Sequence, residues 1–176
     1  MKTNIALIGF MGVGKTAVGK VLAEKLGRSF VELDSLIEQK AGKSIPDIFQ
    51  QDGEAAFREL EIEVTKEVSK DRNLVIACGG GLVLNKINID RLRRQSRIVY
   101  LTASPEVILK RVSGDGDERP LLKAANKALN IRELLRFRKP FYERAADITI
   151  DTSKLDTDSI VEQIMNKLRD DEGFHL

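Results

Sequence analysis

The sequence predicts a three-layer α/β/α fold built on a five-stranded parallel sheet. Two observations carry this. Five short strand-like runs, at residues 5–8, 29–33, 74–78, 97–101 and 147–150, are separated by helical patterns at 15–26, 34–41, 54–69, 86–94, 105–111, 126–138 and 158–168. Strand alternating with helix gives parallel strands covered on both faces. In addition, the first apolar run, Ile5 to Ile8, stops at Gly9 and closes on Gly14-Lys15-Thr16. That spelling, G-x-x-x-x-G-K-[ST] between a strand and a helix, is a phosphate-binding loop (P-loop).

The elements follow in chain order. Gly9, Gly12 and Gly14 let the backbone turn tightly and present N–H groups to phosphate oxygens with no Cβ in the way. Lys15 opens the next helix, so its ammonium and the helix N-terminus face one anion. The Thr16 hydroxyl is a candidate Mg²⁺ ligand. The expected nucleotide contacts from this stretch are Gly12, Val13, Gly14, Lys15, Thr16 and Ala17. The helix after the loop carries Val18, Leu22 and Leu26 at four-residue spacing and ends at Gly27.

The second strand ends in Glu32-Leu33-Asp34. Strand alternation would send both carboxylates to one face, at the carboxyl edge that borders the ligand crevice of an open parallel sheet. One would then serve Mg²⁺ and the other accept a proton from a substrate hydroxyl. The alternative is that Asp34 caps a helix starting at Ser35 and Glu32 is solvated. Residues 34–71 add helical material between the second and third strands, with a further helix start at Ser44-Ile45-Pro46. Within it, Phe57, Leu60, Val64 and Val68 form an apolar face. Arg58 lies off that face, in reach of Glu54 and Glu61, as on an ordinary solvated helix.

The third strand runs through Cys78 into Gly79-Gly80-Gly81. Three successive glycines suggest a close approach to the backbone; a loose turn is the alternative. Asn85-Lys86-Ile87-Asn88 nearly spells the guanine-reading N-K-x-D, but Asn88 lacks the carboxylate that accepts both guanine donors. Ser104-Pro105 starts the helix after the fourth strand. Residues 113–125 are a polar, glycine-bearing stretch expected to act as a lid, with Arg119 placed to neutralise charge on a transferring group. The following basic helix is expected to be interrupted at Arg138-Lys139-Pro140.

Composition narrows the function classes. The 176 residues suit one domain that can bury a core. A net charge of +2 with 5% aromatics argues against nucleic-acid binding. No stretch approaches a membrane span, and no segment ahead of the first strand reads as a signal peptide, so a cytoplasmic protein is expected; a monomer is expected as well, though no motif speaks to assembly. The single cysteine, Cys78, excludes an internal disulfide and reads as a buried, inert thiol. The only histidine, His175, lies in the tail, which leaves acid–base chemistry to carboxylates and lysine.

Taken in order, these motifs resemble the shikimate kinase family. The resemblance rests on the phosphate loop, the acidic pair, Ser44-Ile45-Pro46-Asp47-Ile48-Phe49 and Gly53-Glu54-Ala55-Ala56-Phe57-Arg58-Glu59-Leu60-Glu61. It continues through Gly79-Gly80-Gly81, Arg119-Pro120-Leu121-Leu122 and Arg138-Lys139-Pro140-Phe141-Tyr142, spanning residues 4–165. It implies a P-loop fold of nucleoside-monophosphate-kinase architecture, in which ATP with Mg²⁺ phosphorylates the 3-hydroxyl of shikimate. It implies that Asp34, Arg58 and Arg138 hold the acceptor with Gly79, Gly80 and Gly81, and that Asp34 acts as base. Lys15 would bridge the phosphates, Thr16 and Glu32 would organise Mg²⁺, Arg111 would lie against adenine and Arg119 would close from the lid. The family usually has Asp-x-Asp where this chain has Glu32-Leu33-Asp34. The rivals are a kinase of another hydroxylated acid such as gluconate, a nucleoside monophosphate kinase, and a nucleotide-binding module without transfer activity.

Overall fold

A computed structural model describes residues 1–113 and 127–176. Its centre is strand β1 (Asn4–Ile8), every residue of which is buried. The remaining strands are β2 (Ser29–Glu32), β3 (Leu74–Ala77), β4 (Ser96–Thr102) and β5 (Ile148–Asp151), and the spatial order is β2-β3-β1-β4-β5, all parallel. The five-stranded parallel sheet expected from the alternation is therefore what forms.

Alternation along each strand divides the core in two. Ile5, Leu7, Val75, Val99, Leu101 and Ile150 face one side, where helices α1 (Lys15–Leu26) and α8 (Thr157–Arg169) cover them. Ala6, Ile8, Ile76, Ile98 and Tyr100 face the other. There they pack under α2 (Leu33–Ala41), α3 (Ile45–Gln51), α4 (Gly53–Val68), α5 (Lys86–Leu92) and the end of α7 (Lys127–Ala145). Burial on both faces is why the strands read as continuous apolar runs. Helix α6 (Pro105–Ser113) lies between β4 and the undescribed residues, and a short 3₁₀ turn, Leu82–Leu84, follows β3.

The topology fixes where a ligand can enter. From β1 the chain passes β3 to reach β2, whereas from β3 it passes β1 to reach β4. These adjacent strands send their connections in opposite directions, and a crevice opens at their carboxyl ends. The phosphate loop leaves β1 and the three glycines leave β3 at that point.

Two sequence expectations need correction. Strand β2 stops at Glu32, and Leu33 already begins α2. Leu33 and Ile37, one helical turn apart, are both buried in the second core, and that packing sets the helical path early. Glu32 and Asp34 are thus not alternate residues of one strand, nor does Asp34 precede its helix as a cap. The basic helix also does not break at Pro140: α7 runs through it to Ala145. Proline removes one helical N–H; burial of Tyr142 and Ala145 beyond it offsets that loss. Ser44 does cap α3, accepting from Asp47 N at 3.3 Å, with Pro46 in the first turn. Among the described residues no helix is long and apolar enough to cross a membrane.

Candidate active site

The crevice is a cleft of about 780 Å³. At one end lies the phosphate loop. Gly12 and Gly14 adopt φ of 82° and 100°, left-handed values that favour glycine, and they turn the loop into the N-terminus of α1. The Lys15 ammonium donates to the carbonyls of Gly9 at 2.7 Å and Phe10 at 2.9 Å, lying across the loop it belongs to. The Thr16 hydroxyl donates to Glu32 Oε1 at 2.9 Å. With its proton committed there, the oxygen's lone pairs are left for a cation. A hydroxyl and a carboxylate beside a phosphate cradle suit Mg²⁺, a hard ion that completes its shell with phosphate oxygens and water.

The other end is built by α2, α4, α7 and the three glycines. Arg58 Nη1 donates to Glu61 at 3.0 Å and Nη2 to Glu54 at 3.3 Å. Glu61 is only 1% exposed, and its Oε2 has no hydrogen-bond partner among the described residues. Burial raises the Glu61 pKa, with the Arg58 guanidinium working against it and the Asp34 carboxylate adding to it. Arg138 is 3% exposed, with its guanidinium carbon 5.6 Å from the Phe10 ring centroid. Ile45, Pro46, Phe49 and Phe57 supply an apolar wall, with the two phenylalanine rings 4.9 Å apart.

Side chains press on the three glycines from the cleft side. A Cβ at Gly79 would stand 3.0 Å from Asp34 Oδ1 and 3.1 Å from Glu61 Oε2. One at Gly81 would stand 2.6 Å and 2.7 Å from the Arg58 terminal nitrogens, and one at Gly80 3.4 Å from Arg138 Nη1. The close-approach reading of the glycine run therefore holds, and a loose turn does not. What approaches is the set of charged groups of the cleft itself.

Of the expected site residues that are described, all but Val13 line this cleft: Gly12, Gly14, Lys15, Thr16, Ala17, Glu32, Asp34, Arg58, Gly79, Gly80, Gly81, Arg111 and Arg138. The Val13 side chain packs into the first core instead, beside Phe10 of the same loop. Arg111 ties the loop to the segment after β5, donating to Gly12 O at 3.3 Å, Val13 O at 3.2 Å and Thr152 O at 3.1 Å. Arg119 and the lid expected over 113–125 lie outside the described residues, apart from Ser113 at the end of α6. Cys78 is buried, and burial pushes its thiol pKa far up, in line with an inert role.

Sequence reasoning missed three contributors. The spacing pairs Glu61 with Arg58, as found, but places the pair on a solvated helix; Glu61 instead sits four residues after Phe57 and three before Val64, on the buried stripe of α4, and a carboxylate on an apolar stripe is the available signal. Thr152 is fully buried and donates toward Val13 O at 3.2 Å and Thr102 O at 3.1 Å, and nothing in one threonine announces that. Tyr142 enters the sequence reading only as part of a motif, and its hydroxyl donates to the carbonyl of Gly80.

A phosphate cradle with Lys and Thr at one end, and a compact pocket of paired carboxylates and guanidinium groups at the other, define a P-loop small-molecule kinase. Comparison with known proteins makes the class particular. A family model for shikimate kinase matches residues 11–169. The shikimate kinase of Symbiobacterium thermophilum is 44% identical over 168 residues, covering 95% of this chain and 97% of the relative. That of Caldanaerobacter subterraneus subsp. tengcongensis is 47% identical over 162 residues, covering 92% and 94%. Among solved structures, shikimate kinase from Acinetobacter baumannii in complex with shikimate superposes with a TM-score of 0.93 at 38% identity, covering 98% of this chain and 96% of that one. The chain belongs to the shikimate kinase family and is a phosphotransferase.

Proposed function

We propose that the chain transfers the γ-phosphoryl group of ATP to the 3-hydroxyl of shikimate, giving shikimate 3-phosphate and ADP. The observation that carries this is the convergence of Asp34, Arg58, Glu61 and Arg138 on the three glycines, in the same cleft as the phosphate loop. Shikimate is a compact ring with one carboxylate and several hydroxyls. Arg58 and Arg138 offer planar forks for the carboxylate, while Asp34 accepts from the 3-hydroxyl and takes its proton as the bond to phosphorus forms. Gly79, Gly80 and Gly81 supply backbone contacts where a Cβ would intrude on the charged groups.

On the donor side, Lys15 and the loop N–H groups of Gly12, Val13, Gly14, Thr16 and Ala17 hold the phosphates. Mg²⁺ held by Thr16 and Glu32 would neutralise charge on the ATP phosphates. Arg111 borders the base, and Arg119 is assigned to the transferring group by its place in the sequence motif. Binding at the two ends aligns hydroxyl and γ-phosphate in line, which is the larger part of phosphoryl-transfer catalysis. We read residues 1–176 as one domain, with residues 34–71 as the acceptor-binding helical insert and 113–125 as the lid. We read the protein as a monomer of the cytoplasm.

The test is ADP release by the purified protein with Mg²⁺-ATP in a coupled assay, with and without shikimate. The expected result is turnover that depends on shikimate. ATP binding with no shikimate-dependent turnover, or faster turnover with gluconate or another hydroxylated acid, would overturn the acceptor assignment.

A further inference from the structure

The hydroxyl of Tyr142, on α7 with Arg138, reaches the glycine loop. The ring is fully buried and stacks on Tyr100 with centroids 5.0 Å apart and planes 17° apart. Its hydroxyl donates to the carbonyl oxygen of Gly80, across 62 residues of sequence. Burial raises the pKa of the phenol, and the Arg138 guanidinium, one turn earlier on the same helix, works against that rise. The phenol is therefore a neutral donor throughout the ordinary pH range.

The carbonyl of Gly80 and the N–H of Gly81 belong to one planar trans peptide unit, so they point in opposite directions. A donor that fixes the carbonyl also fixes the N–H, and turns it away from Tyr142. Gly81 lines the cleft, and its N–H donates to no group among the described residues. Gly80 is also the joint between the two halves of the site. A Cβ on it would stand 3.4 Å from Arg138 Nη1 on one side and 3.6 Å from Met11 N of the phosphate loop on the other.

We infer that Tyr142 is a positioning residue for acceptor binding: its hydrogen bond to Gly80 sets the Gly80–Gly81 peptide plane so that the Gly81 N–H faces the acceptor beside Arg58 and Arg138. The inference rests on the acceptor pocket assigned above. The residue acts through the peptide it holds and does not touch the acceptor.

Tyr142→Phe keeps the ring and its stack and removes the hydroxyl, with its bond to Gly80 and its contact with Arg138, so the Gly81 amide signal below is the readout that separates the peptide plane from Arg138. The freed Gly80 carbonyl then turns to find water, and the Gly81 N–H turns with it. The acceptor KM is expected to rise about 5- to 20-fold, the worth of one buried hydrogen bond. The ATP KM should hardly change, and the thermal midpoint should fall by no more than about 2–4 °C. Tyr100→Phe is the control, since it takes a hydroxyl from the same stacked pair without touching the loop. In ¹⁵N spectra the Gly81 amide shift caused by shikimate in the wild type should shrink in Tyr142→Phe and persist in Tyr100→Phe. Equal effects on both substrates, equal effects of both variants, no effect of Tyr142→Phe, or its failure to fold would each overturn the inference. Absence of shikimate turnover in the wild type would instead overturn the function on which it rests.

Discussion

Gly81→Ala separates a glycine kept for binding from one kept for folding. Gly81 lies at φ −98°, ψ 0°, a conformation open to alanine, so the backbone does not forbid the change. The new methyl would instead stand 2.6 Å from Arg58 Nη2 and 2.7 Å from Nη1. Ordinary contact begins near 3.4 Å, so the guanidinium must retreat by roughly 0.8 Å. It sits at the end of a flexible side chain and can do so with little loss of stability, within about 1 kcal/mol. The acceptor fork suffers more. A carboxylate bond of about 2.8 Å stretched by that amount passes the limit of a useful hydrogen bond. Losing a charge-assisted pair of this kind is worth about 1.5–3 kcal/mol, or a rise of roughly 10- to 150-fold in acceptor KM. Gly9→Ala is the contrast. Its methyl would stand 2.3 Å from the Leu101 backbone carbonyl in the centre of the sheet, which cannot retreat, and the variant should lose the fold. Steady-state kinetics in each substrate, with thermal melts of both variants, read the two outcomes. A folded Gly81→Ala with unchanged acceptor KM would refute the assignment of Arg58 to the acceptor.

Other outcomes follow from the same geometry. Asp34→Asn should lower kcat by about 10²–10⁴-fold while acceptor binding changes far less, and near-full turnover would exclude Asp34 as the base. Arg111→Met, which keeps the apolar stem and removes the bonds to Gly12 O and Val13 O, should raise the ATP KM by about 10-fold and leave the acceptor KM alone; an equal rise in both would show a general loss of structure. Glu61 gives a pH signature. Its folded pKa is raised above the ordinary 4.5, so between 4.5 and the raised value the folded chain holds a proton that the unfolded chain has lost. Stability from this group is present below 4.5 and is lost as pH rises through that window. Glu61→Gln removes the term, so the difference in melting temperature, wild type minus variant, should fall as pH rises; parallel profiles would show that Glu61 does not titrate differently in the two states.

The strands and the phosphate loop were legible because each depends on a short stretch of chain. An apolar run of four or five residues ending in glycine has few alternatives in a sequence that alternates with amphipathic helices. The ends of elements were less legible where tertiary packing overrides local spelling. Leu33 enters the core as the first residue of α2, and nothing in Glu32-Leu33-Asp34 says that the strand has already stopped. Pro140 reads as a break, and only the burial of Tyr142 and Ala145 past it explains why α7 continues.

The site shows the same division at the level of single groups. Lys15, Thr16 and the three glycines announce themselves by spacing. Arg58 and Glu61 do not, because a pair three residues apart on a helix is ordinary on any surface. Their meaning comes from the direction α4 faces. Phe57, Glu61, Val64 and Val68 share its buried stripe, so the carboxylate is taken into the core together with the apolar residues around it. A buried carboxylate is costly unless a charge stands beside it, and Arg58, adjacent in sequence to the stripe, is held at the rim by that requirement. The same bond that meets the electrostatic cost of burying Glu61 aims a guanidinium at the glycine loop. Folding energetics and acceptor recognition are thus joined in one ion pair, and exchanging Glu61 for a neutral residue should disturb the acceptor site even though the carboxylate need not touch the reacting atoms.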